Sequence, residues 1–265
     1  FEDTRGTLFF DLLKYLKAKK PKYFVLENVK GLLSHNGGRT FLTILDCLSK
    51  TVNKQYSFTN YDDGLNYYVY YKVLNTKDFG IPQNRERVFI VGFRDEKHSF
   101  KFPKKIPLEL KLKDILENKV DQKYFLSDKM IKGIQKSNFK ERQPIDINGV
   151  CKTLKIGGDT PCFKVHSLYP RSSKTGKGES GPLSKEDGTT YCLDTGNNQA
   201  IEYVNKIRRL TPIECFRLQG FPDSFVDKCR EIGISDTQLY KQAGNSITVD
   251  VMEHLFREIL INEKS

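Results

Sequence analysis

The sequence contains no apolar run approaching the ~18 residues that cross a bilayer as a helix, so it offers no candidate membrane span. It has no CxxC pair. Cys47, Cys151, Cys162, Cys192, Cys215 and Cys229 are widely spaced, which argues against a zinc ribbon and leaves no metal site expected. No GxGxxG follows an apolar run, so a dinucleotide-binding dehydrogenase is excluded. A secretory signal is missing too, because Glu2 and Asp3 stand where a positive n-region belongs. The cysteines are therefore expected as reduced thiols of a cytoplasmic protein. Position 1 is Phe rather than Met, from which a fragment or a processed chain is expected. No internal repeat is evident.

What is present is enough for a folded protein. The 265 residues suffice for one large domain or two small ones. A hydrophobic fraction of 38% supports a core and argues against global disorder. The net charge of +11 is unevenly spread. Residues 1–100 carry 16 basic and 11 acidic side chains, net +5; residues 101–190 carry 19 and 11, net +8; residues 191–265 carry 9 and 11, net −2. A basic middle third suits a polyanion such as nucleic acid. A lysine-rich, solubilising surface explains the same excess equally well.

The first hundred residues read as α/β. Leu8, Leu12 and Leu16, with Phe9 and Leu13, recur at helical spacing, and Asp3 is a candidate cap. Lys17, Lys19 and Lys20 suit the negative end of that helix, and Pro21 stops it. Tyr23-Phe24-Val25-Leu26 has the pattern of a strand buried on both faces. A second helix is expected near residues 40–49, and further strands at 67–74 and 88–91. Strands alternating with helices imply a mostly parallel sheet. Residues 148–200 are rich in Gly, Ser, Thr and Lys and read as a smaller, loop-rich domain of short strands. From Arg208 the pattern is regular again. Thr211-Pro212-Ile213-Glu214 has the form of a capping box. Residues 247–261 form an amphipathic helix with Val251, Leu255 and Ile259 on one stripe.

Five short blocks stand out together. They are Asp3-Thr4-Arg5-Gly6-Thr7-Leu8-Phe9-Phe10, Leu26-Glu27-Asn28-Val29, Gly80-Ile81-Pro82-Gln83-Asn84-Arg85-Glu86-Arg87-Val88, Arg208 through Pro222 with Gln219-Gly220-Phe221-Pro222, and Gln242-Ala243-Gly244-Asn245-Ser246-Ile247. Each alone is weak, since a Glu at a strand end is commonly solvated and Gly-Asn is commonly a turn. In this order and spacing they resemble the later motifs of the cytosine-C5 DNA methyltransferase family. The resemblance runs from Phe1 to about Gly92 and resumes at Arg208.

The resemblance implies an α/β fold with a Rossmann-like, S-adenosylmethionine-dependent methyltransferase sheet, incomplete at its N-terminal side, plus a small target-recognition domain. The implied division is residues 1–104 catalytic, 105–240 target recognition, and 241–265 returning to the catalytic domain. It also explains the residue types. Cytosine C5 is a poor nucleophile until a cysteine thiolate adds at C6. Charge then develops toward N3 and O2, where a carboxyl group and an arginine are useful. Glu27 matches the family's contact to N3 and the exocyclic amine. Arg87 matches the arginine at O2, and Arg85 matches its companion, which orders the site and the nearby backbone. Asn28 is expected to hold the adjoining loop.

The implied methyl donor is S-adenosylmethionine. Leu8 matches the residue against the adenine, and Asn245 and Ser246 match those at the donor's amino-acid end. The implied partner is double-stranded DNA. Gln83, partly structural, and Lys152, Lys155, Arg171, Lys174 and Lys177 are its candidate contacts; Lys164 is a further one. The family's nucleophile lies in a Pro-Cys-Gln block that is not in this sequence. Pro161-Cys162-Phe163 lies in the variable region and does not match it. The chain alone is therefore expected to be inactive, with Pro-Cys-Gln supplied by a missing segment or a second chain. Two other readings are a transfer-RNA cytosine-C5 methyltransferase and the DNA-binding subunit of a split enzyme. A bacterial restriction–modification or phage setting is the family's habit.

Overall fold

A computed structural model describes residues 4–53, 55–56, 64–95, 100–127, 164–167, 183–185, 199–203 and 206–261. The chain divides into two compact units. One comprises Phe1–Asn75, Glu86–Lys104 and Glu253–Ser265; the other comprises Thr76–Arg85 and Lys105–Met252.

The first unit is built on a five-stranded sheet. Helix α1 (Thr4–Lys19) leads into β1 (Tyr23–Val29), and α2 (Arg39–Leu48) into β2 (Ser49–Val52), β3 (Gln55–Tyr56), β4 (Tyr67–Asn75) and β5 (Glu86–Phe93). The strand order is β1-β5-β4-β2-β3. Helix α1 ends where expected: Lys20 turns to φ +45, its N–H bonds the Leu16 carbonyl, and Pro21 follows. Helix α2 buries Phe41, Ile44, Leu45 and Leu48 from one face, as their spacing predicts. They pack with Leu16, Phe24, Tyr67, Val69, Val88 and Ile90.

The sheet corrects two expectations. It is mixed rather than mostly parallel: β1–β5, β5–β4 and β2–β3 are antiparallel, and only β2–β4 is parallel. The physical reason is connection length. Only residues 76–85 join β4 to β5, whereas a parallel return needs a crossover of about a dozen residues or more. Strand β1, read as buried on both faces, ends the strand order, and only Phe24 in it is fully buried. The short β2 and β3 carry too little apolar alternation to be seen in the sequence.

Gly92 faces Phe24 across the β1–β5 pair. A Cβ at Gly92 would fall inside the Phe24 ring. Gly92→Ala is therefore expected to lower stability by about 1–3 kcal/mol through overpacking, read from urea unfolding. Wild-type stability in this variant would contradict that close approach.

The second unit contains a four-stranded sheet of β6 (Lys164–Ser167), β7 (Leu183–Lys185), β8 (Gln199–Tyr203) and β9 (Lys206–Arg209), all antiparallel in the order β7-β6-β8-β9. Helices α3 (Pro212–Arg217), α4 (Asp223–Glu231) and α5 (Asp236–Asn245) follow in this unit, and α6 (Val249–Ile261), which belongs to the first unit from Glu253 onward, closes the described chain. Val251, Leu255 and Ile259 are its buried stripe, as expected. The core of this unit gathers Ile81, Leu112, Ile115, Leu210, Phe216, Leu218, Val226 and Leu239. Cys47 and Cys215 are both buried, and burial first, then Asp46, pushes the Cys47 thiol up.

The capping box at Thr211 forms as its sequence predicts: Thr211 Oγ1 accepts from the Glu214 N–H, and Glu214 Oε2 accepts from the Thr211 N–H at 2.8 Å. Glu214 does more than the box requires. Its carboxylate, fully buried, takes both Nη atoms of Arg208 at 2.7 and 2.8 Å and the Glu117 N–H at 2.9 Å. Strand β9, helix α3 and the stretch around Glu117 thus share one carboxylate. At the start of α5, burial raises the Asp236 carboxyl, but hydrogen bonds from Lys123 and Tyr124 outweigh it and hold the group below its ordinary range.

Candidate active site

In the first unit the register of β1 and β5 sets the geometry. Glu27 faces Phe89 and Val29 faces Arg87, so Glu27 and Arg87 are diagonal neighbours on one sheet face. Arg87 Nε lies 3.0 Å from Glu27 Oε1, with side chains 15% and 16% exposed. This is a contact of charge rather than an aligned hydrogen bond. Arg87 also donates to the Glu86 carbonyl at 2.9 Å. Next to them, Lys30 pairs with Glu86 at 2.9 Å on the exposed surface. Asn28 Oδ1 accepts from the Val29 N–H at 2.8 Å, so its side chain does bond the local backbone.

Chemically, this pair sets one proton-exchanging group against one that stays charged. A guanidinium keeps its protons at any working pH and is a donor only; a carboxyl group can accept, share or donate a proton. Withdrawn from most of the solvent, each acts more strongly on a nearby dipole than it would in water.

In the second unit the remaining motif residues meet at the end of α5. Asn245 closes that helix and is exposed, and Ser246 follows as its half-buried C-cap, with Oγ donating to the Ala243 carbonyl at 2.8 Å. Arg85 is buried. Its Nη1 donates to the Gly244 carbonyl at 3.3 Å and Nη2 to the Ser246 carbonyl at 2.8 Å. Gln83 is fully buried, and its Nε2 donates to the Leu218 carbonyl at 2.8 Å. That bond is consistent with the structural part expected of it.

Leu8, in the first unit, is 71% exposed on α1. The C-terminal end of α5 is the negative pole of a helix, which favours an ammonium, and the Asn245 amide supplies both donor and acceptor. Lys152, Lys155, Arg171, Lys174 and Lys177 lie outside the described residues. So does the side chain of Lys164, whose backbone opens β6.

Sequence reasoning missed Thr76, Thr248 and Glu117, and gave Arg208 and Gln219 only as members of a block, without their partners. Thr76 Oγ1 and Thr248 Oγ1 lie 3.1 Å apart, and Thr248 donates to Gln219 Oε1 at 2.9 Å. No local pattern announces such contacts, which join residues up to 172 positions apart. Among the described residues there is no group of three or more His, Cys, Asp or Glu that could hold a metal ion, and no helix long and apolar enough to cross a membrane.

The fold is that of known methyltransferase structures. Dnmt2 methyltransferase of S. pombe superposes with a TM-score of 0.58 at 16% identity, over 98% of this chain and 74% of that one. A putative DNA modification methyltransferase encoded within a prophage of E. coli gives 0.55 at 18% identity, over 100% and 76%. Sequence is more specific. The chain belongs to the family described as C-5 cytosine-specific DNA methylase, whose sequence model matches residues 1–261. It is 41% identical to type II methyltransferase M.HaeII of Haemophilus aegyptius over 95% of its own length and 65% of that protein's. It is 38% identical to type II methyltransferase M.SsoII of Shigella sonnei, over 98% and 58%. The orphan methyltransferase M.SPRI of Bacillus phage SPR is 32% identical, over 100% and 80%. The chain thus spans about three-fifths of the length of the first two relatives.

Proposed function

We propose that the whole protein methylates C5 of cytosine within a specific sequence of double-stranded DNA, with S-adenosylmethionine as donor, in a bacterial or phage restriction–modification setting. The observation that carries this reading is the Glu27–Arg87 pair, within a chain that matches the C5-cytosine family almost end to end. Glu27 holds or shares a proton at cytosine N3 as electrons move into the ring, and Arg87 stabilises the charge at O2. S-Adenosylmethionine supplies the electrophilic methyl group. The target base leaves the stack to reach these side chains. In the whole protein the C6 nucleophile is a cysteine thiolate.

Incubating the whole protein with duplex DNA and methyl-labelled S-adenosylmethionine is expected to yield 5-methylcytosine. Label in transfer RNA and none in duplex DNA would overturn the DNA reading. Label on the exocyclic amine would overturn the C5 assignment.

A further inference from the structure

Arg85 stands two residues before Arg87 in the sequence, but its bonds serve a different purpose. Its guanidinium donates to the Gly244 and Ser246 carbonyls, one on each side of Asn245. These carbonyls belong to the C-terminal end of α5, where a helix leaves acceptors without intrahelical partners. The same turn is held from its other side. Thr248 bonds Gln219 and meets Thr76, and the Val249 N–H bonds the Gln219 carbonyl at 2.9 Å. Gln219, Thr76 and Gln83 are all buried, and the Thr76 N–H bonds the Arg85 carbonyl at 3.0 Å. Three sequence blocks around residues 76–85, 218–220 and 244–249 are thereby joined by polar bonds, most of them buried and that from Arg85 to Ser246 half-buried. Such bonds fix one geometry, because an alternative would leave buried groups unmade.

We propose that Arg85 is a positioning residue for methyl-donor binding: by holding the carbonyls on both sides of Asn245, it fixes the turn that presents the Asn245 amide and Ser246 to the donor's amino-acid end. The proposal rests on the reading of Asn245 and Ser246 as that end of the donor site. Arg85 then acts through the backbone and touches no reacting atom. Lysine cannot replace it fully, since a single ammonium does not reproduce a planar fork reaching two carbonyls.

The test measures affinity for S-adenosylmethionine and for duplex DNA separately in the whole protein, by isothermal titration, for Arg85→Lys, Arg85→Met and Asn245→Ala. Asn245→Ala is expected to weaken donor affinity. Arg85→Met is expected to weaken it by about tenfold or more, the loss of charged hydrogen bonds, with Arg85→Lys intermediate and DNA affinity unchanged in both. Amide hydrogen exchange across residues 244–249 is expected to quicken in Arg85→Lys, which keeps the charge and serves if Arg85→Met fails to fold. If Asn245→Ala weakens the donor but Arg85→Lys leaves both its affinity and the exchange unchanged, the Arg85 proposal is overturned alone. If Asn245→Ala leaves donor affinity unchanged, the donor-site reading falls and the proposal with it. A fall in kcat with donor affinity intact would instead mark Arg85 as acting at the base.

Discussion

Glu27→Gln in the whole protein is expected to lower kcat for methyl transfer by about 10²–10⁴-fold, the usual range for removing a positioned acid–base group. Glutamine keeps the volume and an acceptor oxygen, so a bound cytosine's amine still finds a partner. It cannot give or take the proton that N3 requires as the ring accepts electrons. The loss should therefore fall on kcat, with DNA and donor affinities nearly unchanged. Glu27 sits against Arg87 at 3.0 Å, so the substitution also removes that guanidinium's counter-charge. Arg87→Lys separates the two effects: it keeps a cation beside Glu27 but loses the planar fork. Single-turnover methylation with saturating donor reads the chemical step directly. A wild-type rate in Glu27→Gln would remove Glu27 from the reaction.

Arg208→Met is expected to cost about 3–5 kcal/mol of stability in the second unit, because it strands the Glu214 carboxylate without its counter-ion. Both side chains are buried, at 5% and 0% exposure, and doubly bonded to each other. Glu214→Ala is expected to cost at least as much. It strands the arginine and also leaves the Thr211 and Glu117 N–H groups without the acceptor they share. Replacing both partners by apolar residues, often neutral for a buried pair, should not be neutral here, since those two backbone donors remain. Urea unfolding followed by circular dichroism checks all three variants. Losses under about 1 kcal/mol for the single variants would place this pair at the solvent, where ion pairs contribute that little.

Local signals carried much of the fold. The apolar spacing of Phe41, Ile44, Leu45 and Leu48 marked α2, and all four are buried. Thr211, Pro212 and Glu214 marked the start of α3, and the reciprocal cap is there. Both depend on neighbours within one or two turns, which a sequence displays directly. Strand direction did not come through: an apolar run such as Val88–Val91 reads the same whether its partners run with it or against it. The antiparallel placement of β5 between β1 and β4 follows from chain connections that run pattern alone does not reveal.

The sequence by itself determined the family, through blocks whose residue types the chemistry demands, and with it Glu27 and Arg87 as the pair to expect. Only the tertiary structure decided how they meet: the β1–β5 register makes them diagonal neighbours on one sheet face. It likewise separated two arginines that the motif writes side by side. Arg87 lies against a carboxylate, while Arg85 turns into the interior to bond two carbonyls about 160 residues away. The reason is physical. Side chains two apart on an extended segment leave one face together, but a residue just before the strand, like Arg85, is directed by whatever packs around it, and that is set by distant parts of the chain.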